Sequence, residues 1–444
     1  MSESLTIDPR IFIHPPYERC PQCRQQSYGV LTIAKNSYSR RCRECWRTAH
    51  YGLPDLTKKI IYLDQFVISN MMKALNEAVG GHEGAALDPF WLTLFSALER
   101  VSKLQLAICP HSDGHQTESR LSPFPVELKR MYEQLSHNVG FLSVEQIAHR
   151  QVTLAAGAWL RGEQPTLDFD PARVTHGDLH GWQDRFIISV TANEPKEWTD
   201  GIRRERQQAH QSLTEVFQHF RSQPGVSFAE WLRRELDSGG DAVIEAYRRH
   251  MAQWRQTIAS GQMPGLDLVM GGSRGAVLFR DLKSCFEYLN LPNVEILGRV
   301  IGFLKSDGYK NVPANRISAL LWASLAHQAS CGGRKKPPSR GMSSDVDVIS
   351  ALLPYCDAMF VDKECHTFLH DLPKAYRLPY PTRVFSLNNK QAFLDYLHDL
   401  EANADFIHLS EVRRLYGEDW PRPSLKMYKP RTGPSLDSKR PSGD

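Results

Sequence analysis

Hydrophobic positions in this chain follow two rhythms, and the places where one gives way to the other outline its architecture. Ile60 to Leu63 form a short apolar run, the pattern of a strand buried on both faces in a parallel sheet. Directly after it, Val67, Ile68, Met71, Met72 and Leu75 recur at helical spacing. The stretch "LDPFWLTLFSALERV" predicts a second helix, with Asp88 as N-cap and Pro89 in the first turn, and "LQLAICP" predicts a second strand over Leu104 to Cys109. Strand, helix, helix, strand is the opening of an α/β layered fold. The strand rhythm returns late: a short helix in "DVDVISALLPYCDAMFVDKE" stops at Pro354, and a strand over Ala358 to Val361 ends in Asp362. "TRVFSL" and "NKQAFLDYLHDLE" then predict one more strand and one more helix.

Between about 125 and 330 the pattern is almost wholly helical. Phe228, Trp231 and Leu232 follow a Ser227-x-x-Glu230 capping box, Val294, Leu297, Val300, Ile301 and Leu304 follow Asn293, and Ile317, Leu320, Leu321, Trp322 and Leu325 follow Pro313. These stripes are core positions. Residues 161–195 lack periodicity, and the glycine-rich "GQMPGLDLVMGGSRG" reads as a loop; neither has the Lys and Ser/Thr of a phosphate-cradling loop. The expected organisation is a small module at 12–50, the first half of an α/β domain at 58–124, a large all-helical insertion at 125–330, a flexible basic segment at 331–344, the second half of the α/β domain at 345–417, and a disordered Pro/Ser/Lys-rich tail at 418–444.

Composition narrows the class. The chain has 444 residues and a formal charge of +4, so any polyanion contact must come from local patches. The N-terminus has no basic segment leading into an apolar run, and no stretch approaches the ~18 apolar residues of a membrane span. A soluble cytoplasmic protein with no membrane partner is expected. Nine cysteines is an odd number, and without an export signal the paired CxxC spacing points to metal rather than disulfides.

Cys20 and Cys23 in "CPQC", and Cys42 and Cys45 in "CREC", are separated by eighteen residues, enough for a hairpin. Two such knuckles converge four thiolates on one tetrahedral Zn²⁺, a structural site because no position stays open for water. Arg40, Arg41, Arg43 and Arg47 crowd the second knuckle with Tyr38 and Trp46 interleaved. That surface suits phosphate contact and base stacking, and equally suits protein docking or a solvated face.

Carboxylates gather at the predicted strand ends. Asp64 follows the first strand, Glu118 lies shortly after the second in "PHSDGHQTES", Asp345 and Asp347 begin the late helix, and Asp362 ends the third strand. Asp64 alone is as well explained as a helix cap. In an open parallel sheet, however, the carboxyl ends of the strands share one edge, and sites form there. Four or five acids meeting at that edge require protons or cations, and oxygen-only ligands select Mg²⁺ or Mn²⁺. Asp345, at the helix start, is favoured over Asp347 as the third ligand. Ser112 and His115 flank the second acid and either contact a substrate phosphate or serve local structure. Arg334, Lys335, Lys336 and Arg340 in the basic segment either bind substrate phosphates or solubilise a linker.

At "IYLDQ", "CPHSDGHQTES" and "DVDVISALLPYCDAMFVDK" the sequence resembles the PIN-like nuclease superfamily, over residues 58–120 and 340–400. The resemblance implies a parallel sheet with flanking helices, here joined to a zinc ribbon, and Asp64, Glu118, Asp345 or Asp347, and Asp362 as ligands of a catalytic Mg²⁺ or Mn²⁺. It implies metal-dependent phosphodiester hydrolysis, with RNA favoured over DNA, and a place in toxin or defence systems where a protein partner or inhibitor is an open possibility. The alternatives are an inactive PIN-like protein that binds nucleic acid or protein, or another Mg²⁺-dependent phosphoryl hydrolase. The latter lacks the DxD pattern it would need, since Phe66 follows "LDQ". His115-x-x-Glu118 is not the HExxH of a zinc peptidase.

Overall fold

The computed structural model describes residues 8–76, 88–185, 196–269 and 272–423. Four antiparallel strands open it in sequence order: β1 (His14–Arg19), β2 (Gln26–Ala34), β3 (Ser37–Cys42) and β4 (Thr48–Gly52). The turn between β2 and β3 is two residues long, with Lys35 in the left-handed region at φ 51°. Lacking room for a core of its own, this sheet leans on the end of the chain. Val30, Ile33, Tyr38, Leu53 and Leu56 pack with Leu104, Trp182, Val412, Leu415 and Tyr416. Arg40, which the sequence groups with the exposed basic face, is instead buried. It pairs with Glu18 at 2.7 Å and donates to the carbonyls of Pro16, Tyr28 and Arg414.

A parallel sheet of β5 (Lys59–Leu63), β6 (Ala107–Ile108), β9 (Ala358–Phe360) and β10 (Arg383–Phe385) runs in the order β10-β9-β5-β6. Two further strands, β7 (Gly140–Phe141) and β8 (Thr175–His176), pair antiparallel, and Gly140 bridges His111 just past β6. The segment expected to be all helical therefore carries two strands. Gly140 permits the approach, because a Cβ there would lie 2.8 Å from the His111 ring. The predicted second strand is shortened to β6, because the preceding helix runs to Lys103 and Gln105 turns the chain at φ 60°.

Helices cover both faces. On one, α1 (Gln65–Leu75), α2 (Phe90–Lys103) and α4 (Pro125–Ser136) pack Val67, Met71, Leu94 and Met131 against Ile61, Leu63 and Phe360. α3 (Asp113–Leu121) lies between α2 and α4 in the chain. α5 (Val144–Leu160) comes next, and α6 (Lys196–Arg221), α10 (Pro313–Ser330) and α11 (Met342–Leu352) meet Ile60, Tyr62 and Met359 on the other face through Phe217, Leu321 and Ile349. So α4 and α10, which lie within 125–330, are layers of the sheet itself. A separate helical core joins α5 to α7 (Phe228–Ala259), α8 (Arg274–Glu287) and α9 (Asn293–Lys305) through Val152, Val243, Phe279 and Phe303. In α7, Gly240 admits the carbonyl of Leu304, which a Cβ would meet at 2.1 Å. α12 (Lys363–His370), α13 (Lys390–Ala402) and α14 (Phe406–Tyr416) complete the chain.

Within residues 418–423, expected in the disordered tail, Trp420 is packed: it stacks on Tyr416 at 4.9 Å and donates to the carbonyl of Lys103. Residues 424–444 of that tail lie outside the described residues. No described helix is long and apolar enough to cross a membrane.

Candidate functional site

The four paired cysteines converge. The ligand atoms of Cys20, Cys23, Cys42 and Cys45 all lie within 4.8 Å of one another. The two knuckles repeat one turn: the amides of Cys20 and Cys42 donate to Gln25 and Arg47, and those of Arg24 and Trp46 donate back to Cys20 and Cys42. Arg24 and Trp46 accordingly share a left-handed backbone, at φ 61° and 62°. Burial pushes the Cys42 thiol up, but the amides of Cys45 and Glu44 and the Ser27 hydroxyl outweigh it and bring it down to about 6. The four-sulfur cluster is compatible with a zinc ribbon and could hold a zinc ion.

The acids come from four separate elements. Asp64 follows β5 and caps α1, one carboxylate oxygen accepting the Phe66 amide at 3.3 Å. Asp362 follows β9 and caps α12, accepting the Cys365 amide at 2.7 Å. The cap and ligand roles of Asp64 are thus compatible, since a cap uses one oxygen and leaves the other. Asp345 lies in the first turn of α11, and Glu118 lies in α3. Donor atoms of Asp345, Asp362 and Cys365 fall within 4.8 Å of one another. Burial, then the neighbouring Asp64, Asp362 and Glu118 carboxylates, push Asp345 up to about 9. Burial raises Asp64 to about 7, with Asp362 and Glu118 adding to it against the Phe66 amide. Burial also raises Glu118, opposed by Arg206. Asp64 and Asp345, both buried beside further carboxylates, are thus held toward their protonated forms.

Asp347 is not in this group. Residues two apart on a helix do not face each other, and Asp347 turns instead to Arg274 at 3.1 Å. Ser112 and His115 also depart from the substrate-contact expectation. The Ser112 hydroxyl accepts the His115 amide, and His115 Nδ1 accepts the Ser112 amide, a reciprocal cap. With Nδ1 an acceptor, Nε2 carries the proton and donates to the carbonyl of Leu63 at 2.6 Å. Both ring nitrogens are spent on backbone, and burial holds the ring neutral, lowering it to about 4. His115 therefore ties the end of β5 to the start of α3 and sets Asp64 against Glu118. Arg334 is likewise committed, to Glu364 and over the Phe217 ring, while Lys335 and Lys336 are exposed.

Several residues here carry no signal in the sequence. Tyr62 stacks on His115, and its hydroxyl is held well above its usual range by burial and then by Asp64, Asp345 and Glu118. Cys365 is buried beside Asp345 and Asp362, its thiol raised by burial and by those charges. A cavity of about 360 Å³ opens beside Glu118, lined among others by Arg206, Arg274 and Arg340. Comparison with protein-family profiles, with curated proteins and with solved structures finds no match to this chain.

Proposed function

We propose that the chain is a metal-dependent nuclease of PIN-like type, with RNA the favoured substrate. The carrying observation is that Asp64, Glu118, Asp345 and Asp362 come from four elements to the carboxyl ends of β5 and β9, close enough that the acids around Asp64 and Asp345 add to burial in raising those two. The carboxylate oxygens fit a hard divalent ion that would replace protons on Asp64 and Asp345, while the Cys365 thiol beside Asp345 and Asp362 is raised by burial and by their charges and is not counted as a ligand. When bound there, Mg²⁺ or Mn²⁺ supplies Lewis-acid polarisation of a phosphodiester and an activated water. Asp64 and Asp362 hold their ligand oxygens still through the caps of α1 and α12. His115, working through the Leu63 carbonyl, is a positioning residue.

End-labelled single-stranded RNA and DNA, incubated with the protein and Mn²⁺ or EDTA, test this directly. Cleavage is expected with Mn²⁺ alone and is expected to be lost in Asp64→Asn and Asp345→Asn. Mn²⁺ is also expected to raise the Tm of wild type and of Asp347→Asn but not of Asp345→Asn. Intact RNA and DNA in every lane, with no Mn²⁺ effect on Tm, would overturn the reading. A Tm effect without cutting of either polymer would shift it to the alternative, a phosphoryl hydrolase of a smaller phosphate ester, which the modest cavity favours.

A further inference from the structure

The cavity beside Glu118 draws its arginines from three separate places: Arg206 from α6, Arg274 from α8, and Arg340 from the loop before α11. Arg206 reaches Glu118 at 3.2 Å, and Arg274 reaches Asp347 at 3.1 Å and Glu145 at 3.8 Å. Arg340 is exposed and has no ion-pair partner among the described residues. Asp113, Glu118 and Asp347 also face the space, so its charge is balanced only while those acids serve the guanidinium groups. Glu118 has a second claim on it, from the carboxylate cluster. A divalent ion held there would draw on Glu118 and leave Arg206 short of its anion.

One other feature favours an anion in the same space. Ser343 and Ser344 line it from the first turn of α11, whose N-cap is Gly341 and brings no side-chain acceptor to the helix start. Arginine is suited to this task because its planar fork matches two phosphate oxygens at once.

We propose that this cavity is a phosphate-binding site, with Arg206, Arg274 and Arg340 as its ligands, through which the helical segment holds a substrate phosphate next to the carboxylates. The proposal deepens the nuclease reading by naming residues that position its substrate, yet its first test needs no cleavage. Inorganic phosphate, titrated into the full-length protein and followed by calorimetry, is the probe. Phosphate is expected to bind wild type and to bind roughly tenfold more weakly to Arg340→Gln, the scale of one charge-assisted hydrogen bond. Arg340→Lys, which keeps the charge without the fork, is expected to fall between. Arg340 breaks no ion pair when replaced, so its variants report on the site rather than on folding.

If RNA is cleaved, KM is expected to rise in Arg340→Gln and Arg206→Gln by a larger factor than kcat falls. Equal phosphate affinity in wild type and Arg340→Gln overturns the proposal, whether or not RNA is cut. Weakened phosphate binding in the variant without cleavage by wild type supports the site and removes the nuclease reading. Phosphate binding absent from wild type overturns the site and leaves that reading to the cleavage assay.

Discussion

Lys58 carries its ammonium into the interior between the N-terminal sheet and β5, where Nζ donates to the carbonyl of Gly181 at 2.6 Å. Burial lowers its pKa to about 7, against a smaller opposing pull from Asp178. The unfolded chain, with an ordinary lysine near 10.5, holds the proton more tightly than the folded one, so stability rises as pH climbs from about 7 to about 10.5. Lys58→Met is therefore expected to melt about 2–4 °C above wild type at pH 7, with the gap closing by about pH 10. Wild type melting higher at pH 7 would mean that the charged form is adequately paired. Residues of this kind differ sharply in how far sequence announces them. Asp64 and Asp362 are legible because a carboxylate at the end of a buried strand stands out against apolar neighbours. Arg206 is not, because it sits in a charge-rich amphipathic helix where nothing separates it from Arg203 or Arg204. Asp345 and Asp347 are separable only by the face of α11 that each occupies.

At the scale of elements, periodicity finds the long helices and the buried strands but misses β7 and β8, which are too short to show alternation. It also cannot reveal which helices serve which sheet face, since α4 and α10 have the same stripes whether they cover the sheet or each other. The N-terminal sheet has the same hidden dependence on its neighbours. Its cysteines are legible from spacing; its reliance on α14 is not, because Arg40 and Arg414 are 374 residues apart. Removing metal with a chelator, or replacing Cys23 by Ser, is expected to melt β1–β4 and strip α14 of its cover. Hydrogen exchange measures this: the amides of Val412 and Leu415 are expected to lose protection while those of Ile61 and Met359 keep it. Unchanged protection at Leu415 would show that the Arg40 contacts hold the two together without metal.

At the scale of the whole molecule, the parallel sheet is built from distant pieces. Lys59 meets Asp357 across 298 residues at 2.7 Å, so β5 acquires its neighbour β9 only from the last quarter of the chain. A fragment ending at Ser330 is expected to be insoluble, because β5 would present an unpaired, apolar edge. Co-expression with residues 331–444 is expected to restore a soluble complex. A soluble, cooperatively melting 1–330 fragment would show that β5 and the helical layers suffice. The α/β class is legible from the separated strand patterns at either end of the chain. The pairing order β10-β9-β5-β6 is not, as nothing local marks which strands become neighbours.

The same long reach has a consequence during synthesis. At about 5–20 residues per second, roughly 15–60 seconds pass between the emergence of Asp64 from the ribosome and that of Asp345 and Asp362. Throughout that interval the growing polypeptide holds at most half of the four carboxylates, Asp64 and then Glu118, together with the cysteine knuckles that emerge first. On the nuclease reading proposed above, cleavage would be withheld from the nascent chain's own messenger until translation is nearly over, so the order of the acids along the chain would act as a timer.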